Sequence, residues 1–309
     1  MCCFSGAAEV HSTRIFARLT GAGTQVLVYQ MAYSAKAPVA MILPLPVKLP
    51  AAEGAITWKD LKPYPEFFSN LAAGFPAPQP SGFLRSKAAV ASAEPALAVT
   101  EAGDYIASFV PSVDDFARLD PRFSISKEIW AKIPEYADYG FAVFQLKEAS
   151  GTPHPIALEF QTRHADRIFF PTVHIHDGTV HAEEQFDHVL YLQSDVLDPK
   201  VSAYDGPDTK DDATGLVRSD RSAGQFVDTA KALGLVAGDL LIHKSTIVGT
   251  HANTDTTFSP SAIASAARSR GCGRCDYASA PSSPMGIGTA ALVAFAWIVR
   301  RRNEQRGSS

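Results

Sequence analysis

The sequence has no excess of basic charge. Its 309 residues carry 28 lysines and arginines against 32 aspartates and glutamates, a net charge of −4 with an isoelectric point near 6.1. A nucleic-acid-binding surface needs concentrated positive charge, and the only dense basic run is residues 300–302. We therefore expect no nucleic-acid partner.

Residues 1–9 lack the basic region and the apolar core of a signal peptide, so we expect that either the true start lies upstream or the protein is tail-anchored and not exported by the usual route. Cysteine is scarce, with four in the chain. The adjacent Cys2 and Cys3 are poorly placed to bridge each other. Cys272 and Cys275 are spaced as a disulfide, a lipidation or processing site, or half of a metal site, and their glycine-rich context favours processing or anchoring. The cysteines therefore do not identify the compartment.

Complete catalytic motifs are lacking too. Ser124 and Lys127 match Ser-x-x-Lys, but neither Ser-Asp-Asn nor Lys-Thr-Gly follows, so helix capping explains the serine better. Residues 21–23, Gly-Ala-Gly, lack the third glycine of a dinucleotide-binding loop and are typical of a hairpin turn. The sequence thus names no substrate.

What the sequence does contain is a group of histidines. His174, His176 and His181 fall within eight positions around an Asp-Gly dipeptide, which is a strong hairpin signal between alternating apolar residues. A type I′ turn at residues 177–178 would pair His174 with His181 and place all three imidazoles on one face. His188 joins them only if residues 182–185 bend the chain.

Three imidazoles with an open fourth position are typical of zinc and copper sites. The sequence therefore predicts a metal centre of copper or zinc, which would activate water or dioxygen for a small-molecule substrate if the protein is an oxidoreductase or hydrolase. The competing interpretation is that this segment is an edge strand, as Pro171 indicates because it cannot donate a hydrogen bond to a neighbouring strand. The histidines of such a strand would simply be solvated. Two directly opposed histidines repel each other below pH ~6.5 unless something bridges them, and this favours the metal.

Cys2 has two possible uses. Removal of Met1 would expose an amino group and a thiol on one residue, the pairing found in amino-terminal cysteine amidohydrolases, although residues 3–6 do not reproduce their pattern. The thiolate is also a further ligand candidate, since a sulfur ligand beside imidazoles favours copper.

The carboxy-terminal tail has the pattern of a membrane anchor. Residues 285–299 form an uncharged apolar run, which the basic residues 300–302 follow on the expected cytoplasmic side. Fifteen helical residues cover roughly 22 Å, which is short of the ~30 Å hydrocarbon core and requires thinning or snorkelling. Together with residues 271–275, the tail resembles the carboxy-terminal sorting signals of myxobacterial surface proteins, which implies surface anchoring.

The rest of the chain predicts an α+β fold, a mainly antiparallel β-sheet with short helices. A domain at residues 1–250 would be followed by a Ser/Ala-rich tether at 251–284, a transmembrane helix at 285–299 and a basic tail at 300–309. Residues 25–31 and 39–43 are expected to pair as strands. Residues 39–47, 155–160 and 167–171 resemble an uncharacterised bacterial family of cysteine-led envelope proteins. That resemblance implies a β-rich envelope protein, which need not be an enzyme.

Overall fold

A computed structural model describes residues 3–76, 100–102, 105–146, 148, 150–209, 211–212 and 214–270. Its strands are β1 Cys3–Phe4, β2 Ala8–Thr20, β3 Thr24–Ala35, β4 Ala40–Leu45, β5 Ile56–Asp60, β6 Thr100–Ala102, β7 Tyr105–Val110, β8 Gly140–Gln145, β9 Ser150–Gly151, β10 Ile156–Gln161, β11 Ile168–Phe170, β12 Glu183–Gln193, β13 Val217–Arg218, β14 His243–Ala252 and β15 Thr256–Phe258. The helices are α1 Phe67–Ala72, α2 Lys127–Trp130 and α3 Pro260–Arg270. The 3-10 turns are Gly21–Gly23, Val113–Arg118, Pro121–Phe123, Pro134–Tyr136 and Ala223–Gln225.

The described strands form three sheets. A five-stranded sheet has the order β1-β4-β8-β7-β6, and a larger one has the order β13-β14-β12-β2-β3-β10-β5 with β9 beside β3. β11 and β15 form a small third sheet. All pairings are antiparallel except β12 with β2. The predicted β-rich, mainly antiparallel fold with short helices is confirmed.

Both faces of the larger sheet are buried around β3. Leu27 and Tyr29 on β3 pack into a core shared with the five-stranded sheet, while Val26 and Val28 face a second core covered by α1. Side chains alternate across a strand, so a strand buried on both faces has a continuous apolar sequence. The uninterrupted apolar character of residues 26–29 follows from this position.

The predicted pairing of residues 25–31 with 39–43 is wrong. Both segments are strands, but β3 pairs with β2 and β10, whereas β4 pairs with β1 and β8 in the other sheet. β2 itself had no clear sequence signal. Its exposed first half and buried second half blur the alternation.

Ordered structure continues past the predicted domain boundary at residue 250. That boundary falls inside β14, and β15 and α3 follow, so residues 251–270 are part of the fold instead of a tether. No helix among the described residues is long and apolar enough to cross a membrane. The predicted transmembrane helix at 285–299, its basic tail and Cys272 and Cys275 lie outside the described residues.

Candidate metal centre

The segment that carries the first two histidines is held by side chains from the β14–β15 connection. Strand β11 ends before Pro171, and the backbone N–H groups of residues 172–174 donate to side chains from that connection. Asn253 accepts a hydrogen bond from the His174 backbone N–H at 2.6 Å, and its amide donates to the carbonyls of His174 (2.9 Å) and His181 (3.0 Å). One asparagine therefore fixes both ends of the turn around residues 177–178.

Asp255 holds the preceding residues in the same way. Its buried carboxylate accepts hydrogen bonds from the backbone N–H groups of Thr172 (2.7 Å) and Val173 (3.1 Å) and from the hydroxyl of Tyr136 (2.6 Å). Burial raises the pKa of Asp255 to about 6, although these hydrogen bonds oppose the shift. Burial also raises the pKa of Tyr136, so the phenol remains a donor.

The third histidine comes from β12. His188 lies on the face of β12 that also buries Phe186, Leu190 and Leu192, so it points into the core instead of toward solvent. His174 meets it there, with exposed fractions of 4% for His174 and 1% for His188. Strand alternation, not a bend at 182–185, thus brings His188 to the cluster.

The imidazoles are in direct contact. Nε2 of His174 lies 3.2 Å from Nε2 of His188, and the His176 ring stacks on that of His174 with centroids 4.7 Å apart. Phe186 covers the cluster, with its ring centroid 4.5 Å from that of His174 and 5.0 Å from that of His188. Nε2 of His176 and Nδ1 of His174 are buried without a hydrogen-bond partner. The cluster therefore has imidazole nitrogens left for a further interaction.

Burial keeps these rings neutral. Desolvation, the largest cause, lowers the pKa of His174 and His188 far below the ordinary value and that of His176 to about 4. Neutral imidazole is the form that binds metal ions. The cluster is thus in its metal-binding protonation state at neutral pH.

His181 is not part of this cluster. Its side chain is 47% exposed and its Nε2 lies 3.1 Å from Oδ2 of Asp177, which lowers the pKa of that carboxyl. The predicted pairing of His174 with His181 does not occur. Residues 177–178 do form a turn, in which Gly178 has a φ of +78°, but Asn253 occupies the position between the two arms.

Cys2 lies outside the described residues, while Cys3 is described and buried. Cys3 forms a parallel bridge with Ile175, and the N–H of Phe4 donates to the carbonyl of Ile175 at 2.9 Å. The ring of Phe4 contacts His176, with centroids 5.9 Å apart. The beginning of the described chain therefore runs alongside the histidine-bearing segment.

Among the residues that the structure describes, no group of three or more His, Cys, Asp or Glu side chains has the arrangement of a formed metal site. The His174–His188 pair has two nitrogens at a suitable separation, whereas His176 stacks beside them. Sequence reasoning missed Asn253 and Asp255, which it placed in the tether. Their only signal is a short Asn-Thr-Asp run typical of a turn.

The fold and cluster define a β-rich protein with a closed, neutral histidine centre. No family model and no curated protein matches the chain. Among solved structures, baculovirus P35 is similar with a TM-score of 0.48 and 15% identity, over 84% of this chain and 99% of that chain. The caspase-8/P35 complex gives a TM-score of 0.43 and 14% identity, over 81% and 96%. At these values the likeness supports no conclusion about function.

Proposed function

We propose that the protein binds one zinc or copper ion between His174 and His188, with His176 as the third candidate ligand. The 3.2 Å separation of the two Nε2 atoms carries this proposal. Two nitrogens that each lie about 2.0–2.1 Å from one tetrahedral zinc ion are roughly 3.3 Å apart. The ion would replace the proton that the two rings share in the metal-free protein.

Burial favours a structural or storage role over catalysis. The rings of the pair are almost inaccessible, whereas a catalytic metal needs an open position that a substrate can reach. The Phe186 ring adds an apolar wall on the same side. Anchoring to the cell envelope through residues 285–299 remains part of the proposal and depends on the apolar run and its basic flank.

Metal analysis of the full chain tests the proposal. The purified protein is loaded with Zn²⁺ or Cu²⁺, dialysed and analysed by mass spectrometry for metal per chain. We expect retention in the wild type and in His181→Ala, which changes the exposed histidine next to the cluster. Loss is expected in His188→Gln and in the double variant His174→Ala/His176→Ala. Circular dichroism of the metal-free variants verifies that they fold.

Unchanged metal content in both cluster variants would refute the proposal, as would a wild type that retains no metal. Cys2→Ser separates the two uses of that cysteine. A lower copper content in Cys2→Ser supports Cys2 as a ligand. If the wild type releases ammonia from amides in the presence of a chelator and Cys2→Ser does not, the amidohydrolase is supported instead.

A further inference from the structure

Arg14 is a half-buried arginine without an acceptor for its charge. It lies on β2, with its guanidinium carbon 5.5 Å from the centre of the Phe68 ring. Its Nε is buried and has no hydrogen-bond partner, and no carboxylate of the described residues forms an ion pair with it. A buried guanidinium N–H without an acceptor is costly, so the Nε marks a polar group that the described residues leave unsatisfied.

Arg18, four residues along the same strand, shows the usual solution. Its Nε donates to the carbonyl of Leu235 at 3.1 Å and its Nη2 to that of Gly234 at 2.8 Å. Burial lowers the pKa of both arginines. The two side chains share a strand face and a similar burial, and only Arg14 lacks acceptors.

Arg14 borders a cavity of about 350 Å³ that is lined mainly by polar side chains. Gln30, its direct partner across β2 and β3, lies beside it, and the hydroxyls of Ser69 and Thr152 and the imidazole of His154 complete the polar wall. Glu66 is the one carboxylate among the described lining residues, and it is exposed. With a water's share of volume at ~30 Å³, the cavity has room for an anion and its waters.

We propose that this cavity binds an oxyanion, the phosphate or carboxylate group of a small molecule, with the Arg14 guanidinium as its main ligand. Guanidinium binds such groups through two parallel hydrogen bonds. The hydroxyl of Thr152 would supply a further donor, whereas that of Ser69 already donates to the Glu66 carbonyl at 2.8 Å. This site is separate from the histidine cluster and does not depend on a metal.

Binding of inorganic phosphate and of acetate is measured by calorimetry on the full chain at constant ionic strength. Stronger binding of phosphate would identify a phosphorylated ligand, and stronger binding of acetate a carboxylate. We expect Arg14→Met to weaken the binding of the preferred anion at least tenfold, about 1.4 kcal/mol, and Arg14→Lys to weaken this binding less. Arg18→Lys, the matched control, should leave it unchanged.

A second measurement on the wild type avoids any folding defect. Phenylglyoxal modifies arginines, and the preferred anion should slow its reaction with Arg14 but not with the exposed Arg122, as followed by peptide mass spectrometry. The proposal is overturned if neither anion binds saturably, if Arg14→Met binds as well as the wild type, or if both arginines are protected equally.

Discussion

Acid should unfold the metal-free protein well above the pH at which ordinary carboxylates are protonated. His174, His176, His188 and His243 are each kept neutral by burial, which lowers their pKa in the folded chain. In the unfolded chain they titrate near 6.5. Below that pH the unfolded state binds more protons, so stability is present above pH 6.5 and is lost as the pH falls.

The size of the effect follows from the same values. Between pH 7 and pH 5, each histidine that protonates only on unfolding costs about 1.9 kcal/mol of stability, and the four together about 7.5 kcal/mol. Asp255 acts in the opposite direction because its pKa is raised to about 6 in the folded state, where protonation returns about 1 kcal/mol. The net loss of about 6 kcal/mol is comparable with the whole stability of a typical domain.

Urea denaturation followed by circular dichroism, with a chelator present, measures this loss from pH 7.5 to pH 5. His243 provides a test away from the cluster. Although its Nε2 lies 3.3 Å from Oδ1 of Asp198, the contact is not a hydrogen bond, and burial dominates and lowers its pKa to about 4. His243→Gln should reduce the loss of stability between pH 7 and pH 5 by about 1.9 kcal/mol, whereas His11→Gln at an exposed position should not. Equal stability at pH 7.5 and pH 5.5 would refute the reasoning.

Three further perturbations follow. Gly178→Val should destabilise the protein by at least ~1 kcal/mol, because Gly178 has a φ of +78° with open space around it, and an unchanged urea midpoint would contradict this. Gly140→Ala should lower the free energy of unfolding by about 1–3 kcal/mol, because the added Cβ would lie 2.5 Å from the Phe109 ring. A variant with wild-type thermal stability would disprove this prediction. Deleting residues 285–309 should move the protein from the membrane to the soluble fraction, and an intact chain that is already soluble without detergent rules out the anchor.

The sequence predicted strands better than it predicted their partners. Apolar runs such as residues 26–29 and 40–43 identify buried strands. A strand that is apolar on both faces has no alternating pattern, so its sequence indicates neither its pairing register nor the sheet to which it belongs. Some prolines mark the ends of elements, although Pro44 lies inside β4. β11 ends just before Pro171, and Pro134 begins the 3-10 turn that follows α2.

The sequence predicted only part of the histidine cluster, because local patterns do not identify partners that are distant in the chain. A local pattern located the turn with its positive-φ glycine and the crowding of imidazoles. The partner of His174, however, was decided by Asn253, almost 80 residues further along the chain, which satisfies the backbone that a hairpin ladder would have used. Long-range side-chain hydrogen bonds of this kind have no periodic signal in a sequence. His188 could be placed only once β12 was known to be a continuous strand.

Metal binding and acid sensitivity should be coupled in a measurable way. A metal ion that binds only the folded state stabilises it by about 2.7 kcal/mol at a free concentration of 100 Kd. Near pH 5.5 the buried histidines, less the contribution of Asp255, give a slope of about 4 kcal/mol per pH unit. Zinc should therefore lower the midpoint of acid unfolding by roughly 0.7 pH unit. The same shift should be absent in His188→Gln and present in His181→Ala. An acid midpoint that zinc does not move in the wild type would mean that the neutral cluster is a satisfied core and not a metal site.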